Sequence, residues 1–167
     1  PFSTVGEKYI YIAIRRGPMK TPTSGTSVFS PIAVNAATGT VQTTNFVIDS
    51  QWKAKRATDT LNTSVDDRLR GVSTTTTASG RYFITSSAAV EDTANATTQT
   101  WNNTGFQIPT YYGSASDIFY SLGRAPGFFD EVYYTGTGAN TTQTHNLGVV
   151  PELMIVKGRS GATAWQV

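Results

Sequence analysis

Acidic pairs are the first residues in this sequence whose types could do chemistry. Asp66-Asp67 and Glu91-Asp92 each set two carboxyl groups side by side. Glycoside hydrolysis needs two carboxyl groups roughly 5 to 10 Å apart across a cleft. Adjacent acids followed by Arg68 and Arg70 read instead as a capped, ion-paired turn, and Glu91-Asp92 falls in a polar loop without a partner. His145 is the single histidine. A Ser-His-Asp triad or a zinc site requires further groups at defined geometry, so His145 reads as a turn residue bonding local backbone. No D-x-D-x-D-G calcium loop is present, and the absence of cysteine excludes disulfides and thiolate metal sites. The expectation is a non-enzymatic chain with no catalytic residues, no metal and no cofactor.

Binding is the remaining chemistry. Trp101, Asn102, Asn103, Tyr111 and Tyr112 form the candidate glycan-contact set. Sugars stack on flat aromatic faces ringed by amides and hydroxyls, and such groups gather on loops. The competing reading is that these aromatics plug the core near strand ends. Asn62, Asn95, Asn102 and Asn140 satisfy the N-x-S/T pattern, as chance would supply in so threonine-rich a chain.

Composition limits the partners. Charged residues are 14% of the chain, against roughly 25% in soluble domains generally. Thr, Ser, Asn, Gln and Gly supply the polar surface instead, and β-branched Thr suits exposed strands. Thirteen basic residues against eleven acidic ones give a formal charge of +2. The basic residues are scattered rather than gathered into a stripe, which argues against a nucleic-acid partner. No apolar run approaches the roughly 20 residues of a membrane span. Opening on Pro1, the sequence reads as an excerpt of a longer polypeptide.

The elements expected to position these residues are strands. Lys8–Arg16 is apolar on both alternating sets and reads as a strand buried on both faces, stopped by Gly17-Pro18. Met19–Pro31 has linker composition. Strand material follows over Val41–Arg56, with Phe46, Val47 and Ile48 leading into Gln51–Arg56. Ser64–Gly71 is the one plausible helical turn, with Ser64 as its cap, acids early, Arg late and Gly71 at its end. Val72–Ser79 is edge strand or loop. Further strands are expected at Arg81–Ser87, Gly105–Ile108, Ile118–Leu122, Glu131–Thr135 and Val149–Lys157. Many short strands punctuated by turns predict an all-β sandwich.

Internal repetition organises them. Arg16-Gly17-Pro18 and Arg124-Ala125-Pro126 each follow an apolar-aromatic run, and Asn45–Arg56 can be set beside Asn146–Arg159. Repetition at this length means tandem domains, since solenoid units are nearer 20 to 50 residues. The division expected is a final strand of a preceding module (1–18), a linker (19–36), a complete sandwich (37–126) and the start of a following module (127–167). Arg16 and Arg124 would bond carbonyls across the boundary, Pro18 and Pro126 would stiffen it, and Phe128 and Phe129 would pack into the interface.

RAPGFFDEVYYTGTG (Arg124–Gly138) followed by HNLGVVPELMIVKGRSGATAW (His145–Trp165) resembles the repeated modules of tail-fibre and virion-appendage proteins of marine and cyanobacterial bacteriophages. Asp66–Gly71 stands where their D-x-x-R-G element is expected, and Gly105-Phe106 where a G-F strand precedes the closing strand. Ile48–Lys55 departs from the P-x-L-V-W-I-K of that pattern. The resemblance implies tandem jelly-roll, concanavalin A-like (laminin-G-like) sandwiches. The E-x-D-x-x-E acids of glucanases sharing that fold are absent here. It further implies a virion, extracellular structural role, with other virion proteins and copies of this chain (a trimer) as partners and host-surface glycans as ligands. The alternative reading is a secreted carbohydrate-binding module of a larger enzyme.

Overall fold

The computed structural model describes residues 19–55, 63–71, 81–92, 100–109, 112 and 117–167. Seven strands appear among them: β1 (Phe29–Val34), β2 (Val41–Thr43), β3 (Ser50–Lys55), β4 (Ser64–Asp67), β5 (Tyr82–Ile84), β6 (Gly105–Gln107) and β7 (Asp117–Leu122). A 3-10 turn at Gly25–Ser27 is the only helical element among the described residues. All pairings are antiparallel, in a five-stranded sheet of order β1-β7-β3-β4-β5 and a two-stranded ribbon β2-β6. Among the described residues the chain is all-β, as its composition predicts.

β7 is the strand on which the large sheet is built, because β1 and β3 pair with it along its whole length. Its side chains alternate faces, as the two-residue period of a strand requires. Asp117, Phe119 and Ser121 are buried on the inner face, and Ile118, Tyr120 and Leu122 are half-buried on the outer one. Register then assigns β3: Gln51, Lys53 and Lys55 oppose Ser121, Phe119 and Asp117, while Trp52 opposes Tyr120. The β2-β6 ribbon lays Phe106 over Phe119, ring centroids 4.9 Å apart. Val34, Ile48 and Ile108 complete that fully buried cluster. Toward β4 the inner face turns polar, with Gln51 Nε2 donating to Ser121 Oγ at 3.0 Å and Lys53 paired to Asp66.

Gly105 is fixed by this arrangement. A Cβ there would lie 1.9 Å from the Gln42 carbonyl oxygen on β2. Gly105→Ala is therefore expected to push the ribbon apart and cost on the order of 2–3 kcal/mol, as overpacked sites do. Urea unfolding of the two proteins checks it.

Four expectations are corrected. Part of the expected linker, Phe29–Val34, is β1; Pro31 is tolerated because β1 is an edge strand whose other side carries no ladder among the described residues. Phe46–Ile48 is not strand. Asn45 has a φ of 64°, and both Thr44 and Asn45 donate to the Thr104 carbonyl, so a turned loop delivers buried Ile48 to the core. Ser64–Asp67 is strand rather than helical turn, because β3 and β5 supply ladder partners on both sides. The cap falls to Asp67, whose Oδ1 accepts from Arg70 N at 2.8 Å, and Gly71 ends the turn at a φ of 92°. Finally, Glu131–Thr135 and Val149–Lys157 are not strands; residues 130–167 have a single bridge, Val156↔Gln166. Tyr133 and Lys157 tie these segments down through side-chain bonds to Asp67 and to the Ala88 and Ala89 carbonyls, while Val149–Val156 stays largely exposed and joins no ladder beyond that bridge among the described residues. Lys8–Arg16 and Val72–Ser79 lie outside the described residues. Arg81–Ser87, Gly105–Ile108 and Ile118–Leu122 each contain a strand where expected.

Candidate functional site

The turn after β7 gathers the residues of the expected joint. Ala125 N donates to the Phe129 carbonyl at 3.0 Å and Phe129 N returns to the Ala125 carbonyl at 3.2 Å, closing a loop around Pro126. Gly127 there has a φ of 71°, a conformation that side chains disfavour. Arg124 does not reach across to carbonyls as expected. Its guanidinium grips Asp130, with Nη2 at 2.6 Å and Nε at 2.7 Å from Oδ1. A planar fork aimed at a carboxylate makes a stronger, more directional bond than one to a neutral carbonyl. Asp130 Oδ2 also accepts from Asn146 N at 2.7 Å, and Gly127 N donates to the Leu147 carbonyl at 2.7 Å. Burial would raise the Asp130 carboxyl, but the bonds from Asn146 and Arg124 outweigh it and hold it below the usual range. His145 Nδ1 accepts from Leu147 N at 3.2 Å, the local backbone role expected of it. Phe129 is half-buried, whereas Phe128 remains exposed rather than packed. Arg16 and Pro18 lie outside the described residues.

Asp49 ties this turn to the sheet. Its Oδ2 accepts from Arg124 N at 2.7 Å, its N–H donates to the Leu122 carbonyl at 2.9 Å, and its carbonyl accepts from Arg68 N at 2.8 Å. Nothing in the sequence marks Asp49 for this; its partners stand far along the chain.

Beyond the turn, residues 131–166 hook onto the outer face of the sheet. Tyr133 Oη donates to Asp67 Oδ1 at 2.5 Å. Trp165 packs edge-on against Phe83 at 5.6 Å between centroids, lies 6.3 Å from Trp52, and donates its indole N–H to the Ile84 carbonyl at 3.1 Å. Lys157 Nζ donates to the carbonyls of Ala88, Ala89 and Thr163. Glu91-Asp92 is not the unpartnered pair expected: Glu91 pairs with Arg81 and Arg159 at 3.0 Å each and lies 3.6 Å from Arg70, and Asp92 Oδ2 accepts from Tyr82 Oη at 3.0 Å. Burial pushes the Glu91 carboxyl up, but the bond and charge of Arg159, with Arg70 and Arg81, bring it below the ordinary range. The Asp67-Arg70 ion pairing read from the sequence is present, and Arg70 also stacks on Phe83 at 4.2 Å and donates to the Val65 carbonyl.

Glu131 has the opposite environment. Burial first, and then the charge of Asp67, pushes its carboxyl up to about 8; Asp49 adds to this, while a bond from Ser50 and the charge of Arg70 oppose it. Its Oε2 has no hydrogen-bond partner among the described residues. An acid set between Phe128-Phe129 and Val132-Tyr133 is the signal that could have found it.

The glycan-contact set is not assembled as one platform. Trp101 and Tyr112 are half-buried and pack against the core cluster, Tyr112 edge-on to Phe119 at 5.3 Å. Asn102 and Asn103 are exposed, and Asn102 Oδ1 accepts from Thr104 N at 2.8 Å to form a local turn. Tyr111 lies outside the described residues. An open hollow elsewhere brings together exposed Tyr134 with Thr137, Asn140, Thr141 and Gln143. Among the described residues no three His, Cys, Asp or Glu are grouped to hold a metal ion. No described helix is long and apolar enough to cross a membrane.

No family model, curated protein or solved structure matches this chain.

Proposed function

We propose that this chain is a non-enzymatic segment of a bacteriophage tail fibre or virion appendage, built from concanavalin A-like jelly-roll modules in series. The observation that carries the reading is the Arg124–Asp130 turn, which ends the closing strand β7 and hands the chain to a segment echoing β3 and β4. The one bridge of that segment, Val156↔Gln166, falls on Ala54 and Ser64 when shifted back by the 102 residues separating Lys157 from Lys55. The Lys53↔Ser64 pair of β3 and β4 is one residue away. In this reading the segment is the first hairpin of a following module, and the exposed run Val149–Val156 is strand material that the module would cover.

Its partners are other virion proteins and copies of itself as a trimer, on the outside of the particle. Host-surface glycans are its ligands, and the Tyr134 hollow supplies the aromatic face, amides and hydroxyls that sugars require. Light scattering coupled to size exclusion, with a glycan array on the same protein, tests this. Self-association together with a weak sugar response lost in Tyr134→Ala is the expected result. A stable monomer with tight, calcium-dependent sugar binding would support the carbohydrate-binding module instead.

A further inference from the structure

We propose that Lys53 and Asp66 condense through their side chains into an amide that rivets β3 to β4. The two stand diagonally on the inner face: Lys53 opposes Ser64 and Phe119, and Asp66 opposes Gln51. Lys53 Nζ is 2.5 Å from Asp66 Oδ2, and the residues are 2% and 7% exposed. An amine at that distance from a carboxyl oxygen stands roughly 3–3.5 Å from the carbon bearing it, the separation of a near-attack arrangement.

The surroundings favour condensation over a lasting ion pair. The Tyr112 ring roofs the amine at 5.3 Å and packs on Phe119, so aromatic carbon covers one side of the pair. Holding two opposite charges in a dry interior is expensive, and a neutral amide removes both. Tyr112 Oη lies 3.2 Å from Ser64 Oγ, and the phenol is pushed up by burial and then by the charges of Asp66 and Asp117.

The step balances without an outside reagent. Nζ first passes one proton to the paired Asp66 carboxylate; the neutral amine then bonds to the carboxyl carbon, one carbon–oxygen bond breaks, and that oxygen leaves as water with two of the three original ammonium protons. The amide keeps the third. With no cysteine in the chain, this is a covalent tie of a kind disulfides cannot supply here.

Intact-mass spectrometry of the full, denatured chain tests it, followed by a tryptic map. The expected mass is one water below that of the sequence, with a branched peptide joining Lys53 to Asp66 and no cleavage after Lys53. Asp66→Asn should reach the same amide with loss of ammonia, and Lys53→Arg should keep its full mass. Wild-type protein at full sequence mass, cleaved normally after Lys53, means an ion pair only and overturns the proposal. A water loss mapped to a linear peptide overturns it too. The wild-type result decides even where a variant fails to fold.

Discussion

Thermal stability of this chain will fall as the pH rises from about 5 to about 9, and Glu131→Gln will remove most of that fall. The Glu131 carboxyl is raised from 4.5 to about 8 by its burial and by the neighbouring charge of Asp67. The folded chain therefore keeps a proton that the unfolded chain releases near the ordinary value. Stabilisation from that proton is complete below the ordinary value and is lost as the pH passes through about 8. Its size is on the order of 2–4 kcal/mol, less than the full shift implies, because the site is coupled to Asp67 and partly open to water. At the acid end the sign reverses. Glu91 and Asp130 are held low, so their contribution is present above the ordinary carboxylate range and disappears as the pH drops below it. Circular-dichroism melts of both proteins across the range measure the effect. A flat wild-type profile, or a variant profile parallel to it, would sink the assignment.

Arg70→Met will destabilise the fold by about 3–5 kcal/mol, the usual result of removing one partner from a buried ion pair. Arg70 is buried against Phe83 and bonded to Asp67 and the Val65 carbonyl, with Glu91 nearby. Methionine fills much of the same volume, so the loss comes from the charge abandoned at Asp67 rather than from a cavity. The double variant Arg70→Met/Asp67→Asn tests that explanation. A side-chain amide in place of the Asp67 carboxylate is neutral yet still accepts from Tyr133, so the double variant should recover half or more of the loss. Denaturant unfolding of the four proteins in the cycle gives the answer, and a double variant no better than the single one would place the cost in packing.

Strands bounded by their own punctuation were legible in the sequence. β5, β6 and β7 each follow an apolar-aromatic alternation that a turn signal or Pro109 brackets. β1 was not, because Pro22 and Pro31 give it linker composition and its strand character comes from β7, some ninety positions away. Ser64–Asp67 misleads in the same manner. Its Ser and Asp residues are those of a helix start, and two flanking strands override that local preference. Of the site, the turn after Arg124 was legible from its Ala125-Pro126-Gly127 punctuation, but the guanidinium's partner was not. Asp130 is only six residues on, yet nothing local distinguishes a carboxylate from a carbonyl as the target. Asp49, Glu91 and Glu131 draw their meaning from contacts across the sheet, which a linear pattern does not carry.

Side-chain hooks at Tyr133, Lys157, Arg159 and Trp165 fasten the last part of the chain, while residues 134–144 between them touch no strand through any bond described above. Lengthening that intervening loop would add only loop-closure entropy, about 0.6 kcal/mol per doubling. The hollow around Tyr134 can thus be remade in size and chemistry by insertion, on a scaffold that never registers the change.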